Sequence, residues 1–231
     1  MAANNSRAAL VFAAALTLTP IAAEATIARA VKFDEKVDQA AAIVLGRVVS
    51  QTSSWDAAQQ RILTYSKLQV EKTFKGFPSQ EITIVTPGGV VGDVAQDYVG
   101  VPRFRTGDEH VVFVRNTKVG PTVLFLDQGA YHVDKDERGD RLVRPIDSNA
   151  VMIDTQRGVA VTPEKARSLR DFEGSVRETI RQRETMRMEL IERKQREEAS
   201  LWNQVKRNKT LVILALLGAM LATWQLVKRS S

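Results

Sequence analysis

The sequence has no cysteine and only two histidines among its 231 residues. The first absence excludes disulfide staples, thiolate metal sites and cysteine nucleophiles, and it suits a bacterial envelope protein better than a small disulfide-rich secreted one. Serine chemistry is not signalled either. No Gly-x-Ser-x-Gly elbow occurs, and Ser50, Ser53, Ser54 and Ser66 stand in no recognisable catalytic context. The glycine-rich stretch TPGGVVGDVAQDYVGVPRFRTGDE, residues 86–109, holds five of the thirteen glycines but lacks Gly-Lys-Ser/Thr and Gly-x-Gly-x-x-Gly. Lysine is missing between Lys75 and Lys118, so the loop has neither the cation nor the following helix start that a phosphate cradle needs. No catalytic residue, no cofactor and no metal ligand is therefore assigned, and a non-enzyme is expected.

An excess of one charge is also lacking where a fold would be. The chain is +6 overall, yet residues 26–160 carry 17 Lys and Arg against 17 Asp and Glu, whereas residues 161–231 carry 15 against 9. A neutral folded part gives no reason to expect nucleic acid. The basic part can meet lipid headgroups.

Both ends are apolar. Residues 1–25 have Arg7, an apolar run from Ala8, and Ala23-Glu24-Ala25, the layout of a secretory signal peptide cleaved after Ala25 or, alternatively, after Ala30. Residues 210–227, TLVILALLGAMLATWQLV, are eighteen uncharged residues, enough for roughly 27 Å of hydrocarbon as a helix. Lys206, Arg207 and Lys209 precede them and Lys228 and Arg229 follow, with Trp202 and Trp224 near the two edges. Together these predict a single-pass protein of the bacterial cytoplasmic membrane. Residues 26–160 would lie in the periplasm or outside the cell, 210–227 would be a transmembrane helix, and 228–231 a cytoplasmic tail.

Between the ends, residues 33–42 predict a short helix and AIVLGRVVS a buried strand. In RILTYSKLQVEKTF, Ile62, Leu68, Val70 and Phe74 alternate with polar residues as one face of a strand, ended by Gly76 and Pro78. EITIVT at 81–86, HVVFVR at 110–115, TVLFLD at 122–127, AYHVD at 130–134 and RLVRPI at 141–146 add strands, separated by glycine, proline and aspartate turns. Short strands at this spacing predict an antiparallel sandwich or small barrel. From Thr162-Pro163-Glu164 a helix is expected to run to Asn208, about 70 Å, as a charged stalk over 161–209. In residues 177–198, 13 of 22 are charged and spaced to support an exposed helix. Leu169, Phe172, Val176 and Ile180 form a stripe that can pack on the β-domain or self-associate, which leaves a homo-oligomer through the stalk open.

Two features remain as candidate sites. The loop 86–109 is too long to be a mere connection, and Gly88, Gly89, Tyr98, Pro102, Arg103 and Phe104 are its candidate partner-binding residues, with Phe104 available either to plug the fold or to meet a partner. His110 and His132 lie in strand patterns, where alternation can put both on a wet face. With Asp108, Glu109 or Asp134 as third ligand they are the alternative, an envelope hydrolase or metal-dependent enzyme. The acidic turn 134–140 invites a calcium reading but lacks the EF-hand spacing.

The succession AAIVLGRVVS, TYSKLQVEKTFKG, ITIVTPGG, GVPRFRTGDEHVVFV and LDQGAYHV resembles a group of largely uncharacterised exported bacterial proteins. Their β-domain is similar to the OB-type barrel of the netrin-like and tissue metalloproteinase inhibitor superfamily. The resemblance covers about residues 40–135, most specifically Pro87-Gly88-Gly89 with 102–109. It implies a mainly β protein with a small antiparallel OB-like barrel, here followed by a long helical stalk and a single C-terminal transmembrane helix. It implies binding or scaffolding without chemistry. Inhibition through an amino-terminal cysteine does not carry over, since the chain has none. The expected function is an interaction or assembly module in a membrane complex, with envelope or membrane proteins and anchor lipid as partners.

Overall fold

The computed structural model describes residues 27–77, 79–147, 150–162, 164–207 and 209–229. The signal peptide expected over 1–25 lies outside them, as do Pro78 and Pro163. In chain order the elements are β1 (Ile27–Arg29), α1 (Phe33–Gln39), β2 (Ala42–Asp56), β3 (Arg61–Lys75), β4 (Glu81–Pro87), β5 (Gly89–Val91) and β6 (Val94–Gln96). Then follow β7 (Glu109–Thr117), β8 (Gly120–Val123), a 3-10 turn (Leu126–Gly129), β9 (Ala130–Lys135), β10 (Arg141–Pro145), β11 (Val151–Asp154), β12 (Val159–Ala160), β13 (Arg167–Ser168), α2 (Leu169–Arg207) and α3 (Lys209–Arg229). The protein is mostly β, with a long helix after the sheets.

The main sheet runs β13-β10-β9-β7-β2-β3-β4, with β8 hydrogen-bonded to β7, and all its pairings are antiparallel. A three-stranded sheet, β1-β11-β12, and the β5-β6 hairpin stand beside it. At its centre, residues 42–46 of β2 are all buried, which is why the run AIVLG reads as apolar without alternation. Ile43 and Leu45 join Val111, Phe113, Tyr131 and Val133 in one core. Ala42, Val44 and Val48 join Val112, Val114 and Ala130 in another. Successive side chains leave opposite faces of a strand, so these are the two faces of one sheet.

The first face is covered by helices. Val37 of α1 and Phe172 and Val176 of α2 are buried in it, with Leu169 and Ile180 packed alongside. The stripe Leu169, Phe172, Val176 and Ile180 thus packs on the β-domain. Phe172 sits among four other rings, with centroids 5.4 Å from Phe33, 6.0 Å from Phe74, 6.1 Å from Phe113 and 5.3 Å from Tyr131. Edge-to-face aromatic pairs at this range contribute about 0.5–1.5 kcal/mol each beyond area burial. Ion pairs rim the contact: Lys72 with Glu173 at 2.7 Å, and Arg183 with Asp34 at 3.5 Å. Residues 181–200 of α2 are exposed.

The second face curls onto itself. A would-be Cβ on Gly120 of β8 lies 3.4 Å from a Val85 methyl of β4, yet no ladder joins the two strands. The expected barrel is therefore not closed among the described residues. Pro121 gives β8 no amide to donate at its second position, and Phe125 and Leu126, with φ of 57° and 58°, turn the chain away after Val123. The same turn corrects the strand expected over 122–127, which ends at Val123.

Two further expectations change. Phe74 packs on the helix-covered face, whereas Leu68 and Val70 pack on the other. The β2-β3 register shifts between Ile43 and Val44 and between Leu45 and Gly46, and each extra residue inverts the alternation beyond it. The helix expected from Pro163 begins instead at Leu169, because 167–168 pair with β10 first and Ser168 Oγ accepts a 3.0 Å bond from the Asp171 amide. At 39 residues α2 measures about 58 Å.

Among the described residues no helix is long and apolar enough to cross a membrane. The span expected over 210–227 falls within α3, and the side chains of 211, 212, 222, 226 and 227 lie outside the described set. Along α3, Ile213, Leu214, Leu216, Leu217, Met220 and Leu221 are exposed.

Because Phe172 is the largest buried side chain that α2 contributes to this core, Phe172→Ala is expected to lower unfolding free energy in urea by about 3–5 kcal/mol. Leu190→Ser in the exposed part of the same helix is expected to stay within about 0.5 kcal/mol.

Candidate functional site

The loop 86–109 begins with two glycines whose geometry leaves no room for a side chain. Gly88 has φ of 95°, and a Cβ there would lie 2.8 Å from the Gln96 carbonyl oxygen. Gly89 has φ of 133°, and its Cβ would meet Thr64 Oγ1 at 2.4 Å and Ser53 Oγ at 2.5 Å. This tight passage carries the chain from β4 into the β5-β6 hairpin. The hairpin is moored to β3: the Gly88 amide donates to the Ile62 carbonyl at 2.8 Å, Gln96 Oε1 accepts from the Ile62 amide at 2.7 Å, and Thr64 Oγ1 donates to the Gly88 carbonyl at 2.6 Å. Val90, Val94, Tyr98 and Val99 of the hairpin and the residues after it are exposed. Arg103 is exposed and pairs with Asp97. Pro102 is buried.

Phe104 is buried in the second core beside Val112, Val114 and Ala130. It is a plug. Its ring meets that of His110 edge-on at 4.9 Å, and His110 lies 5.0 Å from His132, so loop and histidines form one contiguous region. His110 and His132 are direct cross-strand partners on β7 and β9. Gly46 of β2 stands opposite His110 and Arg144 of β10 opposite His132.

The wet-face expectation fails for His110, which is 2% exposed on the inner side of the curled sheet. Its parity matches Val112 and Val114, so it points with the core. His132 is 33% exposed, and its Nε2 lies 2.7 Å from Asp134 Oδ1. Asp134 also pairs with Arg144. Asp108 completes the group: the ligand-bearing atoms of Asp108, His110 and His132 all lie within 4.8 Å of one another. The backbone fixes Asp108 there, since the Gly107 amide donates to the Val48 carbonyl at 2.8 Å and the Val48 amide to the Asp108 carbonyl at 3.0 Å.

Neighbouring acids are excluded from this group by geometry. Glu109 pairs with Arg47 and lies 3.8 Å from Arg141. In the turn 134–140, Asp136 Oδ1 accepts from the amides of Arg138 and Asp140 at 2.9 and 2.8 Å, so that carboxylate is occupied by its own backbone.

Neither ring nitrogen of His110 makes a hydrogen bond of ordinary geometry among the described residues. A buried polar atom in that condition costs about 1–3 kcal/mol. Burial pushes the His110 pKa down to about 4, with the neighbouring His132 adding to the effect and Asp108 and the Tyr131 backbone opposing it.

A second polar cluster lies at the edge of the helix-covered face. Lys36 is buried, and its Nζ donates to Tyr131 Oη at 2.5 Å and to Glu164 Oε1 at 2.6 Å, while Tyr131 Oη donates to Glu164 Oε2 at 3.0 Å. Burial lowers the Lys36 pKa against the pull of Glu164, and burial with Glu164 raises that of Tyr131. The triangle borders a cavity of about 550 Å³ lined by Val31, Gln128, Arg144, Met152 and Glu164. Its ammonium has two acceptors, so it reads as a tie between α1, β9 and the segment before β13. No pattern in the sequence marked Lys36, Tyr131 or Glu164, because their meeting spans 128 residues.

Compared with known proteins, the chain matches no family model, no curated relative and no solved structure.

Two outcomes are expected. Phe104→Ala is expected to destabilise the domain by about 3–5 kcal/mol in urea unfolding, as for a buried ring. For chelator-treated protein, pH titration of stability tests His110: its folded pKa of about 4 lies below the ordinary 6.5. The unfolded chain then binds more protons between these values, so stability is full above about 6.5 and falls as pH drops toward 4. His110→Asn is expected to flatten that part of the profile.

Proposed function

We propose that the protein is a non-enzymatic, membrane-anchored bacterial envelope protein whose extracytoplasmic β-domain is an interaction module in a membrane complex. The observation that carries this reading is the β5-β6 hairpin and the residues just after it, which hydrogen bonds with Ile62 and Thr64 moor to β3 and which present Val90, Val94, Tyr98 and Val99 to solvent. An apolar group on a moored projection loses little conformational entropy when covered, which favours a protein partner. In this reading Tyr98 and Arg103, both exposed, would touch the partner, Gly88 and Gly89 shape the projection, and the buried Pro102 and Phe104 hold its base. The neutral charge of residues 26–160 supports a protein rather than a nucleic acid.

The anchor rests on the eighteen uncharged residues 210–227 and on the row of exposed aliphatic side chains along α3. Export rests on the pattern of residues 1–25. The likeness to exported OB-like barrel proteins supports the same reading through the paired 87–89 and 102–109 motifs. The exposed distal part of α2 serves as a spacer, and its row Met186, Leu190 and Ile191 is where a second copy would pair.

The test is affinity purification from gently solubilised membranes with quantitative mass spectrometry. Wild-type protein is expected to retain a defined membrane or envelope partner. Val94→Asp combined with Tyr98→Ser is expected to lose it more than about tenfold with urea stability unchanged within about 0.5 kcal/mol. A partner retained at full yield by the double variant would move the interface elsewhere.

A further inference from the structure

We propose that Asp108, His110 and His132 form a binding site for a divalent transition cation of the zinc type.

Three observations converge. The donor atoms of the three residues lie within 4.8 Å of one another. Among the described residues neither ring nitrogen of His110, which is 2% exposed, has a hydrogen bond of ordinary geometry, although the ring stands between Phe104 and His132 rather than in an aliphatic pocket. Asp134 lies 2.7 Å from Nε2 of His132, and a carboxylate behind an imidazole is the usual outer partner that sets ring orientation and raises ligand basicity.

The donor set selects the ion. Two imidazoles and one carboxylate suit a borderline cation, whereas calcium and magnesium take all-oxygen shells. Zinc bonds of about 2.0–2.2 Å set tetrahedral ligand atoms roughly 3.4 Å apart, so the widest donor separation, up to 4.8 Å, must contract by up to about 1.4 Å. The buried His110 is the fixed member. Asp108 and His132 are both partly exposed and supply the movement by side-chain rotation. Arg144 brings a positive charge nearby, but the carboxylates of Asp108 and Asp134 outnumber it. Three protein ligands leave one position for water or a group from another molecule.

The placement gives the cation a mechanical role. Asp108 closes the loop that begins at Gly88, His110 is on β7 and His132 on β9. Binding would clasp the return of the loop to two strands of the sheet.

The full chain, purified in detergent and stripped with a chelator, is titrated with Zn²⁺ and separately with Co²⁺. One equivalent is expected to bind, with Co²⁺ developing the intense visible absorption of a low-coordinate nitrogen and oxygen site. Asp108→Asn and His132→Gln, whose side chains lie at the rim of the core, are each expected to weaken binding by more than about tenfold. Asp134→Asn is expected to weaken it about 10–100-fold. Glu109→Gln, held away by Arg47, is expected to leave it unchanged. Absence of saturable binding overturns the proposal, and so does binding of equal strength in the Asp108→Asn and His132→Gln proteins.

Discussion

The domain depends on one strand that has no outer face. Residues 42–46 of β2 are buried on both sides, and everything that covers them follows from that requirement. On one side the covering is supplied by helices through Val37, Phe172 and Val176. On the other the sheet bends until Phe104, Ile84 and Val123 meet it. A flat sheet of this length would leave the second face wet, so the bulges in the β2-β3 pairing and the turn at Phe125 belong to the same solution as the core. The long loop is then part of the fold's closure, with its hairpin left outside.

This explains what could be read from the residues and what could not. The strands beginning at Ala42, Arg61, Glu81, Glu109, Ala130 and Arg141 follow from period-two or continuous apolar patterns, and they are present. Local pattern cannot register a bulge, which is why Phe74 changes sides while Leu68 and Val70 keep theirs. Nor can it see that 167–168 will pair with β10, which delays the helix to Leu169. Two left-handed residues, Phe125 and Leu126, end β8 early, although TVLFLD has the composition of a strand.

The histidines make the same point at the level of chemistry. HVVFVR and AYHVD each show a histidine among apolar residues, and alternation alone leaves its face undecided between wet and dry. The register of β7 against β9 decides it, setting His110 directly beside His132, and the hydrogen bonds between Gly107, Val48 and Asp108 bring a carboxylate to them. Of the three acids near the histidines in sequence, Asp108 joins the pair, Asp134 stands behind His132, and Glu109 belongs to Arg47. The Lys36, Tyr131 and Glu164 triangle had no local signature at all, since each member is ordinary until the others arrive.

A helix whose first turns lie inside a hydrophobic core is a lever with its fulcrum in the fold. From Ile180 to Arg207 the arm is about 40 Å long, and a tilt of about 5° at the base moves its far end by roughly 3.5 Å. Phe172 touches rings from α1, β3, β7 and β9, so any such tilt loads four elements at once. A displacement of the distal end that tilted α2 as a rigid body would therefore be felt first at the aromatic cluster.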